Sequence, residues 1–336
     1  MQAQTAETKK SVNVGAILRD NIIIVGIVLI AIVVGILRPN FVSEANFRNL
    51  LSNTAIRFII AVGVSGCLIT KGTDLSAGRV AGLAACLSAI LLQRGDYASK
   101  FYPQMGEMPI IVVLMIVLAI CAVIGVVNGS VISFFKVPPF IATLGMQTLV
   151  YGICLVYTGA IPIGGLRRDY TGIATGFFLN PIFSYVAIIA LVVGACMWFL
   201  YNKTRHGKYM YAIGGNEAAA EVAGVNCNKT KILIYMLAAM LYGLCGFLMA
   251  AKSGGASVNT AQGYELEAIA GCTIGGVSVN GGVGKISGIL IGVLVFELLK
   301  IAMQFMGIET SYTYIVQGLV IIIAVALDLR KYLAKK

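Results

Sequence analysis

Charged side chains are scarce in this chain. Only 12% of its 336 residues are Asp, Glu, Lys or Arg, whereas 59% are hydrophobic and the mean hydropathy is +0.90. A soluble domain carries roughly 25% charged residues, because it must cover a surface that faces water. The composition therefore excludes a water-soluble globular protein and predicts an all-α membrane protein with several spanning helices.

Residues that commonly bind metals or form disulfides are also few or badly spaced. His206 is the only histidine, so neither a histidine metal site nor an HExxH motif can occur. The eight cysteines form no CxxC pair, and all but Cys227 lie in apolar stretches. This pattern favours cysteines that act as small packing residues. We therefore expect no metal and no cofactor.

Motifs of enzymes, nucleotide-binding proteins and channels are missing from the sequence. There is no GxSxG motif and no pair of intramembrane aspartates at helical spacing. The segment 282–287 faintly resembles a phosphate-binding loop, but its serine is one place late and the first glycine is absent. No arginine ladder and no selectivity-filter repeat occurs. Energy for uphill transport would thus have to come from a partner or an ion.

Ten apolar runs, separated by short polar segments, are long enough or nearly long enough to cross a bilayer. They predict one transmembrane domain over residues 1–336. A short amphipathic stretch at 39–51 is expected in the outer interface, with Ser43 as a helix cap. The predicted spans are 21–37, 53–70, 80–93, 109–135, 140–157, 181–201, 232–251, 264–279, 286–305 and 312–327.

The positive charges favour one orientation of these spans. Sixteen of the 25 Lys and Arg fall in segments assigned to the cytoplasmic side, including Lys9, Lys10 and Arg19 at one end and Lys335 and Lys336 at the other. Ten spans with this bias place both termini in the cytoplasm. The net charge of +11 is thereby explained by topology, and no nucleic-acid partner is expected.

The segment 203–231 is the best candidate for contact with a partner, because five Lys and Arg frame it between two apolar runs. It predicts a helix of about two turns, capped at its start by Asn and ended by Gly, which is too short to be stable alone in water. An ordinary loop and a docking helix for a cytoplasmic partner are both compatible with it. The residues concerned are Gly214, Gly215, Asn216, Glu217, Ala218, Ala219, Ala220 and Gly224.

Polar residues inside or beside predicted spans form a second candidate site. A charge at the centre of a bilayer costs at least ~2.5–3.5 kcal/mol, so it usually faces a partner or water. Asp74 and Arg79 flank the start of the third span, but their spacing does not place them on one helix face. Asp74 fits either a cap at the inner interface or a polar element at the cytoplasmic mouth of a pathway. The candidates for a translocation path or gate are Asp74, Ser76, Gly78, Arg79, Glu265 and Glu267.

Other charged residues have simpler expected roles. Glu265 and Glu267 are two positions apart, so they should point to different faces of a helix, and an interfacial position would explain both. Glu297 and Lys300 have the spacing of an ion pair within one helix turn. Arg57 lies near the outer end of its predicted span, from which its side chain can reach the interface.

Three stretches occur in order along the chain: Gly72-Thr73-Asp74-Leu75-Ser76-Ala77-Gly78, then Tyr211-Ala212-Ile213-Gly214-Gly215-Asn216-Glu217-Ala218-Ala219, then Tyr264-Glu265-Leu266-Glu267-Ala268-Ile269-Ala270 with Gly275-Gly276-Val277-Ser278 and Gly281-Gly282-Val283-Gly284. Together they resemble the permease subunits of bacterial ATP-binding-cassette importers for monosaccharides, the ribose, arabinose and galactose group. The layout of spans is similar from first to last. The galactose and methyl-galactoside branch shares Thr73, Arg79 and the ending Val325-Ala326-Leu327-Asp328 before a basic tail.

The resemblance implies two copies of the chain that form one pore in the bacterial inner membrane, surrounded by lipid. It also implies a cytoplasmic ATP-binding subunit docked on residues 214–224 and an extracytoplasmic sugar-binding protein docked on the outer loops. ATP hydrolysis would belong to the partner, so the chain is not expected to be an enzyme. An ion-coupled secondary transporter of a small polar solute is the alternative, and it would rely on Asp74, Glu265 or Glu267. An intramembrane enzyme is disfavoured by the missing catalytic pairs.

Overall fold

A computed structural model describes residues 22–178 and 184–333 of the chain. In these ranges the regular elements are helices, accompanied by three isolated β-bridges. The predicted basic N-terminus and residues 334–336 lie outside the described residues. The helices are α1 (Ile22–Leu37), α2 (Glu44–Ile69), α3 (Ala77–Leu91), α4 (Ile110–Phe134), α5 (Pro139–Thr158), α6 (Arg168–Thr175), α7 (Tyr185–Lys203), α8 (Arg205–Gly215), α9 (Glu217–Val222), α10 (Cys227–Ser253), α11 (Tyr264–Ile274), α12 (Ile286–Phe305) and α13 (Thr310–Leu333), with a 3-10 turn at Pro39–Val42.

The described part of the chain contains seven helices that are long and apolar enough to cross a membrane, namely α2, α4, α5, α7, α10, α12 and α13. The prediction of an all-α membrane protein with several spans is therefore confirmed. Three of the ten predicted spans correspond to shorter helices: α1 has 16 residues, α3 has 15 and α11 has 11. At 1.5 Å per residue, α3 and α11 rise only about 22 and 16 Å, less than a hydrocarbon core.

Several predicted boundaries are wrong, including the start of the seventh span, where α10 begins at Cys227, and the end of the tenth, where α13 continues to Leu333. The expected amphipathic stretch at 39–51 is not separate from the second span, because α2 continues from Glu44 to Ile69. Ser43 does cap this helix, accepting a hydrogen bond from the backbone N–H of Asn46. The eighth span was expected to reach residue 279, but α11 ends at Ile274, where two glycines follow. The longer α2 is largely buried against neighbouring helices. The earlier end of α11 is explained by the backbone freedom of Gly275 and Gly276, the second of which has φ +83°.

The centre of the bundle is α10, which packs against α2, α3 and α4. Small residues allow this close approach, as helices in lipid often require. A Cβ added at Gly125 of α4 would lie 2.4 Å from the carbonyl oxygen of Tyr235, and one at Gly246 of α10 would lie 2.0 Å from that of Ala81. In the 18-residue apolar stretch of α2 that could span a membrane, 83% is buried inside the bundle, whereas the corresponding share of α5 is 17%. Apolar side chains on the outside of α5 therefore suit a lipid-facing helix.

Loops gather at the two ends of the bundle. At one end, short bridges join Gln93 to Leu166 and Ile163 to Ala256. Gln93 is the last residue of the third predicted span, and the other three residues lie in segments predicted to be extracytoplasmic. At the other end, the end of α2 contacts the end of α8 and the turn before α12, which are segments predicted to be cytoplasmic. The grouping of the loops agrees with the predicted alternation of the spans. The first turns of α3 and α11 contain buried residues, including Gly78 and Glu265.

Candidate functional site

Asp74 lies in the loop between α2 and α3 and is only 1% exposed. Its Oδ1 accepts hydrogen bonds from the backbone N–H of Ser76 at 2.9 Å and from Ser76 Oγ at 2.6 Å, while Oδ2 accepts one from the Tyr242 hydroxyl at 3.2 Å. Ser76 Oγ also accepts a hydrogen bond from Asn128 Nδ2. The loop is thereby tied to α4 and α10, and both carboxylate oxygens have partners within the chain.

The interpretation of Asp74 as a cap at the inner interface is wrong. Ser76 occupies the N-cap position of α3, and Asp74 bonds to Ser76 rather than to the first helical N–H groups. This is a local turn stabilised by an aspartate two residues earlier, and it is buried. Thr143 of α5 holds the same loop from the other side, because its Oγ1 accepts from Leu75 N and donates to the carbonyl of Thr73.

Arg79 faces away from Asp74, as its spacing predicted. Its Nη1 donates to the carbonyl oxygen of Val258 at 3.0 Å, and its guanidinium lies 4.1 Å from the ring centre of Tyr151. Both contacts orient the cation without an acidic partner within salt-bridge distance among the described residues. Arg79 therefore connects α3 to α5 and to the loop that precedes α11.

The first turns of α3 and α11 meet at Gly78 and Glu265. A Cβ at Gly78 would lie 2.0 Å from Glu265 Oε2 and 2.5 Å from the carbonyl oxygen of Ala261. Glu265 is 6% exposed, and its Oε2 accepts no hydrogen bond from the described residues. The predicted interfacial position is wrong for Glu265, because this residue is buried between two helix N-termini. Such ends favour negative charge.

Glu267 points to the opposite side of α11, as predicted from its spacing to Glu265. Its carboxylate lies 2.8 Å from Arg57 Nε and 2.7 Å from Lys300 Nζ. Arg57 Nε is also 3.2 Å from Glu297 Oε2, and its guanidinium stacks over Tyr264 at 4.7 Å. We call Arg57, Glu267, Glu297 and Lys300 the charge cluster; it joins α2, α11 and α12.

Two expectations fail at the charge cluster. Arg57 does not reach the interface, because its side chain is only 13% exposed and is held by two glutamates. Lys300 does not pair with Glu297 one turn away, because Glu267 on α11 takes its ammonium group. Spacing along one helix makes a pair possible, but it cannot exclude a better placed partner on another helix.

The predicted short helix of the segment 203–231 is α9, with the predicted ends. Asn216 Oδ1 accepts a hydrogen bond from the backbone N–H of Ala219 at its start. At its end, Gly224 has φ +83°, and its N–H and that of Val225 bond back to Glu221 and Ala220 in a Schellman motif. Both signals lie within two residues of α9, so the sequence was sufficient to predict where this helix begins and ends.

Tertiary contacts hold α9 in place. Both carboxylate oxygens of Glu217 lie 2.7 Å from Lys231 Nζ at the start of α10. Ala220 is buried in a small apolar cluster with Ile213 and Cys227. Val222, by contrast, is 91% exposed. One face of α9 is therefore fixed to the bundle, and the other is available to a partner.

The end of α8 is packed between two turns, and we call this contact the glycine junction, formed by Ile69, Lys71, Gly214, Gly215 and Gly282. The N–H of Gly282 donates to the carbonyl of Ile69 at 2.8 Å, and Lys71 Nζ donates to the carbonyl of Gly215 at 3.3 Å. A Cβ at Gly214 would lie 1.8 Å from the Ile69 oxygen and 2.5 Å from the Gly282 nitrogen. The junction thus connects the loop before α3, the turn after α11 and the helix before α9.

The sequence did not indicate the partners of the Asp74 loop. Asn128 carried a usable signal, since it is the only amide or charged side chain in the 25-residue helix α4, and such residues in spans are commonly functional. Tyr242 and Thr143 carried none, because tyrosine and threonine are ordinary in membrane helices. Their roles depend on which face of α10 or α5 meets the loop.

A family model described as "Branched-chain amino acid transport system / permease component" matches residues 46–325. The chain belongs to this family of membrane permeases. The resemblance carried by the three motifs is therefore confirmed at the level of the family.

Curated relatives agree with the family assignment. This permease is 45% identical over 320 residues to the galactose/methyl galactoside import permease protein MglC of Escherichia coli, covering 94% of this chain and 95% of the relative. It is 45% identical over 303 residues to the protein of the same name from Haemophilus influenzae, covering 89% and 90%. The ribose import permease protein RbsC of Bacillus subtilis is 37% identical over 311 residues, 91% of each chain. No solved structure matches the permease.

Proposed function

We propose that this permease is the membrane-spanning subunit of an ATP-driven monosaccharide importer, with galactose or a methyl galactoside as its substrate. The observation that carries this proposal is the 45% identity to a galactose/methyl galactoside import permease along 94% of the chain. The sequence also lacks a nucleotide-binding motif, so ATP hydrolysis would belong to a separate cytoplasmic subunit. An extracytoplasmic sugar-binding protein would deliver the sugar to the outer loops and account for most of the selectivity.

The segment 203–231 is the proposed coupling loop, and α9 within it is the proposed docking element. Its outer face is exposed at Val222, whereas Glu217 and Ala220 hold its inner face to the bundle. A short helix that is rigidly held at both ends can transfer the motion of a partner to the elements behind it. Behind α9 lies the glycine junction, which contacts the segments leading to α3 and from α11.

The proposed translocation path or gate is the meeting point of α3 and α11. Discontinuous membrane helices often place their N-termini near a substrate, because these ends offer positive dipoles inside the bundle. Here the first turn of α3 contains Gly78 and Arg79, and the first turn of α11 contains Glu265 and Glu267. Separation of the two turns would open a polar surface, and their contact would close it.

The proposed topology has ten membrane-embedded segments in a single domain, with both termini in the cytoplasm. The short helices α3 and α11 count as segments in this scheme, although each would enter the bilayer only in part. Two copies of the chain would surround one path in the bacterial inner membrane, and lipid would cover the remaining apolar faces. The positive charges in the short inner loops support this orientation.

The proposal is tested with the complete importer in lipid vesicles. We expect uptake of D-galactose to require ATP on the side of the ATP-binding subunit and to persist when ionophores remove proton and sodium gradients. Uptake that follows either gradient and ignores ATP would favour the ion-coupled transporter instead. Uptake of ribose, but not of galactose, would retain the importer and change its substrate.

A further inference from the structure

Within the proposed path, we infer that Glu265 contacts the transported sugar and accepts a hydrogen bond from one of its hydroxyl groups through Oε2. The inference rests on the proposed function, and it assigns a binding role to a single atom of that site. The chemistry concerned is that of a neutral, polyhydroxylated ring, which can donate to a carboxylate at several positions.

The three acidic residues of the proposed path differ in what their oxygens contact. Asp74 uses both oxygens on Ser76 and Tyr242, and Glu267 uses both on Arg57 and Lys300. Glu265 Oε2 accepts no hydrogen bond from residues 22–178 or 184–333, although only 6% of the residue's surface is exposed. Leaving a buried acceptor unsatisfied is costly, more so when it is charged. The first two residues organise the protein, whereas Glu265 retains capacity for a ligand.

Glu265 lies where the N-termini of two helices meet. It lies in the first turn of the 11-residue helix α11, and its Oε2 faces Gly78 in the first turn of the 15-residue helix α3. Both helix ends direct the positive ends of their dipoles toward this point. Arg79 is engaged with Val258 and Tyr151 and forms no salt bridge with Glu265. Glu265 Oε2 therefore remains an acceptor for a hydroxyl donor.

Access to Oε2 depends on the separation of the two first turns. Gly78 lies directly over the oxygen, where even a Cβ would be 2.0 Å away. In this closed arrangement a sugar cannot reach it. The turn after α11 reaches the glycine junction through Gly282, which bonds to Ile69 next to Gly214. We expect movement of α9 to act on the C-terminal end of α11 through this junction, which would link binding of the sugar to the coupling step.

The test compares native importer, Glu265→Ala and Glu265→Gln in vesicles, using D-galactose and its monodeoxy analogues. Glu44→Gln serves as the matched control, because it makes the same carboxylate-to-amide change at an exposed position in the first turn of α2. Initial uptake rates give the ratio of native to variant for each sugar. Effects of an analogue on the binding protein are common to both importers and cancel in this ratio.

We expect Glu265→Ala to lower galactose uptake about tenfold or more, because the acceptor is lost, and Glu265→Gln to lower it less, because its amide oxygen can still accept. For one monodeoxy analogue the ratio should fall close to one, because the contacted hydroxyl is already missing. Equal ratios for all sugars would overturn the inference, as would native uptake by Glu265→Ala or failure of both variants to assemble. If the native importer itself shows no ATP-dependent galactose uptake, the proposed function fails instead.

Discussion

Gly214 and Ile69 come into direct backbone contact where α8 meets the end of α2. A Cβ at position 214 would lie 1.8 Å from the Ile69 carbonyl oxygen, which also accepts the N–H of Gly282. Atoms this close leave no room for any side chain. Because three segments share this contact, a displacement of α8 must move the other two or break the packing.

Replacement of Gly214 should separate ATP hydrolysis from transport. Gly214→Ala would force the Ile69 and Gly282 backbones apart, whereas the adjacent Gly215 has open space for a Cβ. We expect Gly214→Ala to lower galactose uptake at least about tenfold while ATP hydrolysis continues, and Gly215→Ala to lower uptake much less. Parallel assays of uptake and phosphate release measure this. Native uptake by Gly214→Ala would show that the glycine junction transmits nothing.

Replacement of Asp74 should impair transport more than membrane insertion. In Asp74→Asn the amide group cannot accept from both Ser76 and Tyr242, so one buried donor loses its partner at a cost of about 1–3 kcal/mol. Tyr242→Phe removes only the bond to Oδ2 and should have a smaller effect. Uptake is compared with the amount of protein in the membrane. Native uptake by Asp74→Asn would limit this carboxylate to a role in the local fold.

The charge cluster should behave as one unit in measurements of stability. Glu267→Gln leaves Arg57 and Lys300 without their shared partner, and breaking a buried pair in this way costs about 3–5 kcal/mol. The double variant Arg57→Gln, Glu267→Gln should be more stable than the sum of the single changes predicts. Thermal unfolding of the purified permease in detergent provides the values. Strict additivity would mean that the two groups do not interact.

His206 should make the stability of the cytoplasmic segment depend on pH. Partial burial lowers the pKa of this imidazole below its usual value, so the folded chain binds the proton less readily than the unfolded chain. Its contribution is complete above the ordinary pKa of about 6.5 and is lost as the pH falls below it. We expect the melting temperature to decrease in that direction, and His206→Gln to remove this component. If the melting temperature of His206→Gln depends on pH as that of the native permease does, this component of stability does not belong to His206.

Features that depend on a few adjacent residues were predictable, whereas features that depend on tertiary packing were not. Ser43, Asn216 and Gly224 were predicted as helix ends, because a cap depends on a few adjacent residues. The partner of Lys300 was not predictable, because it depends on how α11 packs against α12. Likewise, nothing in the segment around Glu265 indicates that Gly78, far away in the chain, covers its Oε2.

The burial of the first turns of α3 and α11 could not be predicted from the sequence either. Hydropathy identified the apolar runs that contain α3 and α11, but it could not tell that their first turns are buried against each other at Gly78 and Glu265. That arrangement depends on the buried loop around Asp74 and on the close contact at Gly78. The residues of the proposed path could therefore be named from the sequence, whereas the contacts between them depend on the fold.

The most direct test of the account uses the purified permease in vesicles, first alone and then with the ATP-binding subunit, the sugar-binding protein and ATP. We expect that the permease alone does not concentrate D-galactose, even with an imposed proton or sodium gradient, and that accumulation begins when the partners and ATP are supplied. Accumulation of galactose by the permease alone would contradict the claim that its energy enters through α9.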